Sequence, residues 1–122
     1  MCDIRDGLYY TPREEWVSIE RSNARVGITD PSQQSMGRIV SVELPKVGDK
    51  IRMGDKIGKI KNMRYECEII APISGTVIDV NKVTDDEISN SPYDDGWLFL
   101  IRMHNPSELN NLMDSSEYKI RM

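Results

Sequence analysis

The sequence has few of the residues that usually carry metal or redox chemistry. Its 122 residues include two cysteines, Cys2 and Cys67, and a single histidine, His104. The cysteines lack the C-x-x-C spacing of a zinc site and are too few for a disulfide framework. His104 has no cluster of cysteines or carboxylates beside it in the chain. The sequence therefore predicts neither a metal site nor a Ser-His-Asp arrangement.

Long apolar runs and an excess of basic charge are also missing. No run approaches the roughly 18 apolar residues that cross a bilayer. The first residues, MCDIRDG, carry charges where a signal peptide has an apolar core. We therefore expect a cytoplasmic protein that does not enter a membrane. Lys and Arg number 16 against 20 Asp and Glu, a net charge of −4, which gives no basic field to attract nucleic acid.

The chain also lacks the sets of residues that form an enzyme site. Glu14 and Glu15 are adjacent, and adjacent side chains on a strand point to opposite faces, so they do not form a carboxylate pair. The sequence shows no combination of nucleophile, base and orienting group, and no nucleotide-binding loop. We expect a protein that is not an enzyme.

Short extended runs dominate what is present, with Gly, Pro, Asn and Asp recurring at roughly ten-residue spacing. This spacing predicts a small, mainly β protein built as a sandwich or barrel. The length predicts one domain over residues 1–122. The predicted strands lie at residues 16–21, 24–28, 37–44, 56–63, 65–70, 75–80 and 97–102.

Short helices interrupt the β pattern. The capping sequence Thr29-Asp30-Pro31 predicts a helix at residues 31–36. A second short helix is predicted at 84–88. A third, opened by Asn105-Pro106, is predicted at 106–113, where apolar residues recur at helical spacing.

Two neighbouring segments, VELPKVGDKIRMGDKIGKI and EIIAPISGTVIDVNKV, each place a Gly-centred turn between apolar strands. The hairpin between them has its tip at Asn62-Met63-Arg64-Tyr65, which should protrude into solvent. The cations around this tip predict a basic surface, and the glutamates are their candidate partners. These charged residues are Lys59, Lys61, Arg64, Glu66 and Glu68.

Strand parity predicts which side chains point inward. Cys67 shares its parity with Tyr65 and Ile69, which predicts a buried thiol that packs as a small apolar side chain. Val40, Val42 and Leu44 follow one another at two-residue spacing, so they should share one face of their strand.

Several longer segments together resemble one known family. They are YYTPREEWV, VGITDPSQQSMGRIVSVELPKVGDKI, EIIAPISGTVIDVN, ISNSPYDDGWLFLI and NPSELNNLMDSSEY, and they cover nearly the whole chain. In this order they resemble the H protein of the glycine cleavage system, within the wider group of biotinyl and lipoyl carrier domains. A generic carrier domain would explain only a hairpin core at about residues 47–83, whereas the flanking segments are of the H protein type.

The resemblance implies a fold, a cofactor and partners. The fold is a barrel-sandwich hybrid of two antiparallel sheets. The family cofactor is lipoate on one lysine, which carries an aminomethyl group between a glycine decarboxylase, an aminomethyltransferase and a dihydrolipoyl dehydrogenase. The carrier itself catalyses nothing.

The same resemblance locates the attachment position. The family's lysine lies six residues after the glycine that here is Gly58, and four residues before the acidic residue that here is Glu68. Both counts arrive at Arg64. Lipoylation requires an amine that can lose its proton, and an arginine side chain stays protonated. We therefore predict no cofactor on Arg64.

The family also shelters its loaded arm in a cleft, which this chain retains only in part. Glu15 and Glu68 are the candidate cleft residues. Arg13 and Ser35 replace residues that are more usual near the cleft, and Lys61 replaces a glutamate that often precedes the tip.

The sequence is compatible with three functions. The first is a binding, scaffold or regulatory protein without lipoate, whose partners are glycine cleavage or lipoyl-transfer enzymes. The second is a working lipoyl or acyl carrier in glycine decarboxylation that is modified at another residue such as Lys61, or that holds a cofactor without an amide bond. The third, an enzyme with its own site, has the least support in the sequence.

Overall fold

The computed structural model describes residues 5, 7–11, 15–29, 38–81, 92–93 and 96–121. Within them the chain is mainly β, as predicted. The strands are β1 Tyr9–Tyr10, β2 Glu15–Glu20, β3 Asn23–Ile28, β4 Ile39–Glu43, β5 Lys50–Ile51, β6 Lys56–Asn62, β7 Glu66–Ile70, β8 Gly75–Val80 and β9 Phe99–Met103. The predicted helices at 31–36 and 84–88 lie outside the described residues.

These strands form two antiparallel sheets, which confirms the predicted architecture. Six strands make the larger sheet, in the order β1-β2-β3-β9-β8-β5, and three make the smaller one, in the order β4-β6-β7. Every second residue of β3 and β9 is apolar, and all of these are buried except Met103, which is half-buried, as expected for strands with one face on a core. These residues pack with Ile60 and Ile69 of the smaller sheet in one hydrophobic cluster.

Two similar turns lead into β5 and β6. Gly48 and Gly54 have φ angles of 96° and 95°, a left-handed conformation that favours glycine. Each glycine is followed by an aspartate whose carboxylate accepts a hydrogen bond from the backbone N–H three residues earlier. The distances are 2.9 Å for Asp49 and 2.8 Å for Asp55. The repeated sequence G-D-K thus folds into a repeated turn.

The C-terminal region differs from its prediction. Asn105 caps a helix, as expected, but this is a 3-10 helix over Pro106–Asn111 and ends before residue 113. Leu112 is extended and buried, and the backbone of Met113 pairs with Tyr10 through hydrogen bonds of 2.7 and 2.8 Å. A longer helix would break this pairing. An unpredicted α-helix follows, α1 Ser115–Arg121.

A second cluster of buried side chains is aromatic and joins α1 to the larger sheet. The rings of Tyr10 and Tyr118 stack with their centroids 4.6 Å apart and their planes at 1°. The hydroxyl of Tyr118 lies 3.0 Å from the hydroxyl of Thr29. Helix α1 is therefore held by the buried ring of Tyr118 and by the hydrogen bond of its hydroxyl. Among the described residues, neither helix has the length and apolar character needed to span a membrane.

Two predictions from strand parity are wrong. Cys67 is exposed, because β7 is the edge strand of the smaller sheet and Cys67 lies nearer the hairpin tip than the buried Ile69. Val40 is 55% exposed whereas Val42 packs against the core. A register shift in β4 turns Ile39 inward, and Val40 consequently faces solvent.

Candidate functional site

The hairpin of β6 and β7 contains the predicted attachment position. Its ladder pairs Lys59 with Glu68 and Lys61 with Glu66. Gly58 lies at an irregularity of this ladder and directly against β4, where an added Cβ would collide with the backbone oxygen of Glu43. Glycine is therefore required for the close approach of β6 and β4.

The tip of the hairpin is a tight turn organised by Asn62. The backbone N–H of Asn62 donates to the oxygen of Tyr65 at 3.0 Å. The side-chain oxygen of Asn62 accepts from the backbone N–H groups of Arg64 and Tyr65, at 2.8 and 2.7 Å. Asn62 is only 4% exposed. Its role was missed from the sequence, although asparagine is a residue that commonly folds back onto the backbone of a turn.

The side chains of the turn itself project into solvent. Met63 is 78% exposed and Tyr65 is 45% exposed, and Arg64 is exposed between them. The tip therefore combines a fixed backbone with projecting side chains.

Ion pairs balance part of the predicted basic surface. Lys59 lies between the carboxylates of Glu43 and Glu66, at 3.8 and 3.7 Å. Glu68 pairs with Lys56 at 3.3 Å and not with a cation of the tip. In the part of the chain that the structure describes, no carboxylate forms an ion pair with Lys61 or Arg64. Within the hairpin, the positive charge that has no ion-pair partner therefore lies at Lys61 and Arg64.

Glu15, the first candidate cleft residue, is 3% exposed and connects the two sheets. One carboxylate oxygen accepts from the hydroxyl of Thr11 at 3.2 Å. The other accepts from the backbone N–H of Ile70 at 3.0 Å, which is the last residue of β7. A buried carboxylate is favourable only when it is hydrogen-bonded, and Glu15 meets this condition. This structural role could not be read from the sequence.

Glu68, the second candidate cleft residue, is partly exposed on β7. It lies on the same strand as Ile70, which Glu15 contacts, but two residues nearer the tip. Arg13 and Ser35 lie outside the described residues. A shared cleft of Glu15 and Glu68 stays a prediction. Among the residues described, no group of histidine, cysteine and acidic side chains could hold a metal ion.

Comparison with known proteins gives a consistent result. A family model described as "Glycine cleavage H-protein" matches residues 8–122. The glycine cleavage system H protein of Geobacillus kaustophilus is 39% identical over 115 residues, which are 92% of this chain and 91% of that protein. The mitochondrial H protein of Oryza sativa subsp. indica is 40% identical over 118 residues, covering 94% of this chain and 72% of that one.

A solved structure agrees with the fold. The crystal structure of a glycine cleavage system H protein from Mycobacterium marinum superimposes with a TM-score of 0.88. The two proteins are 30% identical, and the match covers 97% of this chain and 98% of the other. The fold, including the strands that flank the hairpin, is therefore shared over nearly the whole length of both chains.

Proposed function

Because this chain belongs to the glycine cleavage H-protein family, we propose that it is a member without lipoate, acting in the cytoplasm as a binding, scaffold or regulatory protein. The H protein is a non-catalytic lipoyl carrier. The observation that carries the proposal is Arg64 at the apex of the β6–β7 hairpin, where the family pattern expects the attachment lysine.

The chemistry of the side chain supports this proposal. In attachment, the deprotonated amine of lysine attacks the acyl-adenylate that lipoate forms with ATP; the new amide bond replaces the acyl-phosphate bond, and AMP leaves. The guanidinium of an arginine keeps its proton and spreads its charge over three nitrogens, so its nitrogens are poor nucleophiles. The residue present at the apex therefore does not fit a covalently held lipoyl group.

The second candidate function is a working carrier modified at Lys61. Its support is that Lys61 is exposed and free of a carboxylate partner among the described residues. Lys61 lies within β6, however, where its backbone is paired with Ser41 and Glu66. An enzyme that reads the apex of the hairpin would find Arg64 there instead. The geometry supports this second function less well.

The exposed tip is the part of the molecule best suited to contact partners. Met63 and Tyr65 provide apolar contact area, and Lys61 and Arg64 provide positive charge. Glycine decarboxylase, the aminomethyltransferase, dihydrolipoyl dehydrogenase and lipoyl-transfer enzymes are the proposed partners. Each would meet a cationic side chain where the family presents a neutral, cofactor-bearing arm.

In the direct test, the purified protein is incubated with lipoate, ATP and a lipoyl ligase, and the intact mass of the protein is then measured. The parent chain should keep its mass, whereas Arg64→Lys should gain one lipoyl group. The double variant Arg64→Lys, Lys61→Glu also restores the acidic residue before the tip, in case the ligase requires it. Labelling of the parent chain would contradict the proposal, and Lys61→Arg would then show whether Lys61 is the modified residue.

A further inference from the structure

A cleft of about 620 Å³ opens on the larger sheet, away from the residues of the hairpin tip. It is bounded by β5, by the segment before β8, and by the residues that follow β9. Its walls include Lys50, Arg52 and His104. Its volume lies within the range of about 300–1,000 Å³ that is typical of sites for small molecules.

The strand register brings cations to this face of the sheet. Lys50 on β5 is opposite Thr76 on β8, and Thr76 is opposite Arg102 on β9. Side chains opposite one another on neighbouring strands share a face, with Cβ atoms about 4.5–5.5 Å apart. The next residues in the row, Ile51 and Gly75, are buried, so Lys50, Thr76 and Arg102 face outward.

His104 extends this row toward the cleft. It lies two residues after Arg102, and its Nε2 atom is 2.9 Å from the hydroxyl of Thr76. This hydrogen bond fixes the orientation of the imidazole ring. The other ring nitrogen, Nδ1, has no hydrogen-bond partner in the part of the chain that the structure describes.

The cations on this face have no acidic partners in the described part of the chain. No ion pair there involves Lys50, Arg52 or Arg102, although the protein as a whole has a net charge of −4. Three uncompensated cations on one face of an acidic protein favour an anionic ligand.

One carboxylate, that of Glu108, also lines the cleft, and it is already engaged. Its two oxygens accept from the backbone N–H and the hydroxyl of Ser74, at 2.8 and 2.9 Å. The hydroxyl of Ser74 in turn accepts from the backbone N–H of Met53 at 2.9 Å. Glu108 therefore fixes the wall of the cleft through Ser74, and the cleft also contains the side-chain donors of Lys50 and Arg52.

We propose that this cleft binds a small phosphorylated molecule. A phosphate dianion requires more than one cation and several donors, which Lys50, Arg52 and His104 supply together. The partly buried Met53 provides an apolar contact for the organic part of such a ligand. The proposal does not depend on whether a cofactor is attached at Arg64, because none of the residues that line the cleft belongs to the hairpin tip.

The test is a titration of the ¹⁵N-labelled protein followed by two-dimensional NMR. Glycerol 3-phosphate and inorganic phosphate are the probes, and sodium chloride at equal ionic strength is the control. Saturable shifts confined to residues 50–53, 74–76 and 102–105 are expected. Tighter binding of the ester would identify an organic phosphate as the ligand class, whereas equal binding would identify phosphate itself. Shifts that do not saturate, that lie elsewhere or that chloride reproduces would overturn the proposal.

Matched variants test the assignment of the cations. Lys50→Gln and Arg52→Gln should each weaken binding about tenfold or more, since each removes a charge-assisted hydrogen bond. Lys46→Gln removes the same charge from an exposed residue outside the cleft and should leave the affinity unchanged. Equal weakening by all three would show general charge attraction and not a site. Unchanged resonances of the core would establish that each variant is folded.

Discussion

The side-chain oxygen of Asn62 accepts a hydrogen bond from the backbone N–H of Arg64 at 2.8 Å. The conformation at the apex is therefore set by a buried residue of β6, while the side chain of Arg64 projects away from the turn. It follows that the geometry of the tip and the chemistry of its apex residue can be changed separately. The first two predictions use this separation.

Asn62→Ala should loosen the tip and destabilise the protein by about 1–3 kcal/mol. The substitution removes one acceptor and leaves the backbone N–H groups of Arg64 and Tyr65 without it. Urea unfolding measures the loss of free energy. Met63→Ala is the matched control, because Met63 is 78% exposed in the same turn and should change stability by less than about 0.5 kcal/mol. Equal effects of the two substitutions would mean that Asn62 does not organise the turn.

Arg64→Lys should leave stability within about 0.5 kcal/mol of the parent. The guanidinium of Arg64 has no ion-pair partner among the described residues, and the backbone hydrogen bond to Asn62 does not depend on the side chain. Thermal unfolding of the two proteins checks this. A large shift in melting temperature would show that Arg64 has a structural role and would weaken its interpretation as a lost attachment residue.

Glu15→Ala should destabilise the protein by about 2 kcal/mol or more. It leaves the hydroxyl of Thr11 and the backbone N–H of Ile70 without their acceptor in a buried position. Hydrogen exchange should become faster at the amide of Ile70, where β7 meets the larger sheet. Glu15→Gln keeps one oxygen acceptor and should cost less. Unchanged exchange at Ile70 in the alanine variant would contradict the role of Glu15 as a connection between the sheets.

Glu20 and Arg25 should give a small stabilisation that disappears in acid. The hydrogen bond from Arg25 holds the pKa of the Glu20 carboxyl below its ordinary value of 4.5, against an opposing effect of desolvation. A lowered pKa in the folded state stabilises the protein above the unfolded-state pKa, and this is lost as pH falls through the folded-state value. Because both side chains are partly exposed, the contribution should be below about 1 kcal/mol.

The measurement compares the parent with Glu20→Gln at pH 7 and at pH 3. The difference in melting temperature between them should be smaller at pH 3 than at pH 7. Arg25→Gln should lower the melting temperature by the same pH-dependent amount and by a further amount that does not change with pH. The further loss is expected because Arg25 also lies 4.4 Å from the ring centre of Trp97. A difference between parent and Glu20→Gln that is as large at pH 3 as at pH 7 would contradict the prediction.

The main strands could be predicted because they bury one face, and burial imposes a two-residue period on the sequence. The two-residue strands β1 and β5 were missed, since so short a segment shows no period. The same rule failed for Val40, where a register shift in β4 breaks the alternation. The predicted C-terminal helix differs from the observed one in type and length, because the backbone pairing of Met113 with Tyr10 overrides the local helical spacing.

The sequence predicts the position of the candidate site along the chain, but not the contacts that surround it in space. Counting along the chain gives Arg64, and the hairpin that presents it follows from the turn between β6 and β7. The exposure of Cys67 depends on where the core ends, and the pairing of Lys59 with Glu43 joins residues of different strands. Neither relation is local in sequence, so neither could be read from it.

The stack of Tyr118 on Tyr10 has a practical consequence for shortened versions of the protein. A chain that stopped before Ser115 would leave a flat aromatic surface and the hydroxyl of Thr29 facing water. The strand pairings would all remain, so such a fragment should still fold. It should nonetheless self-associate through the uncovered ring of Tyr10, and precipitation would be the first observable effect of removing the helix.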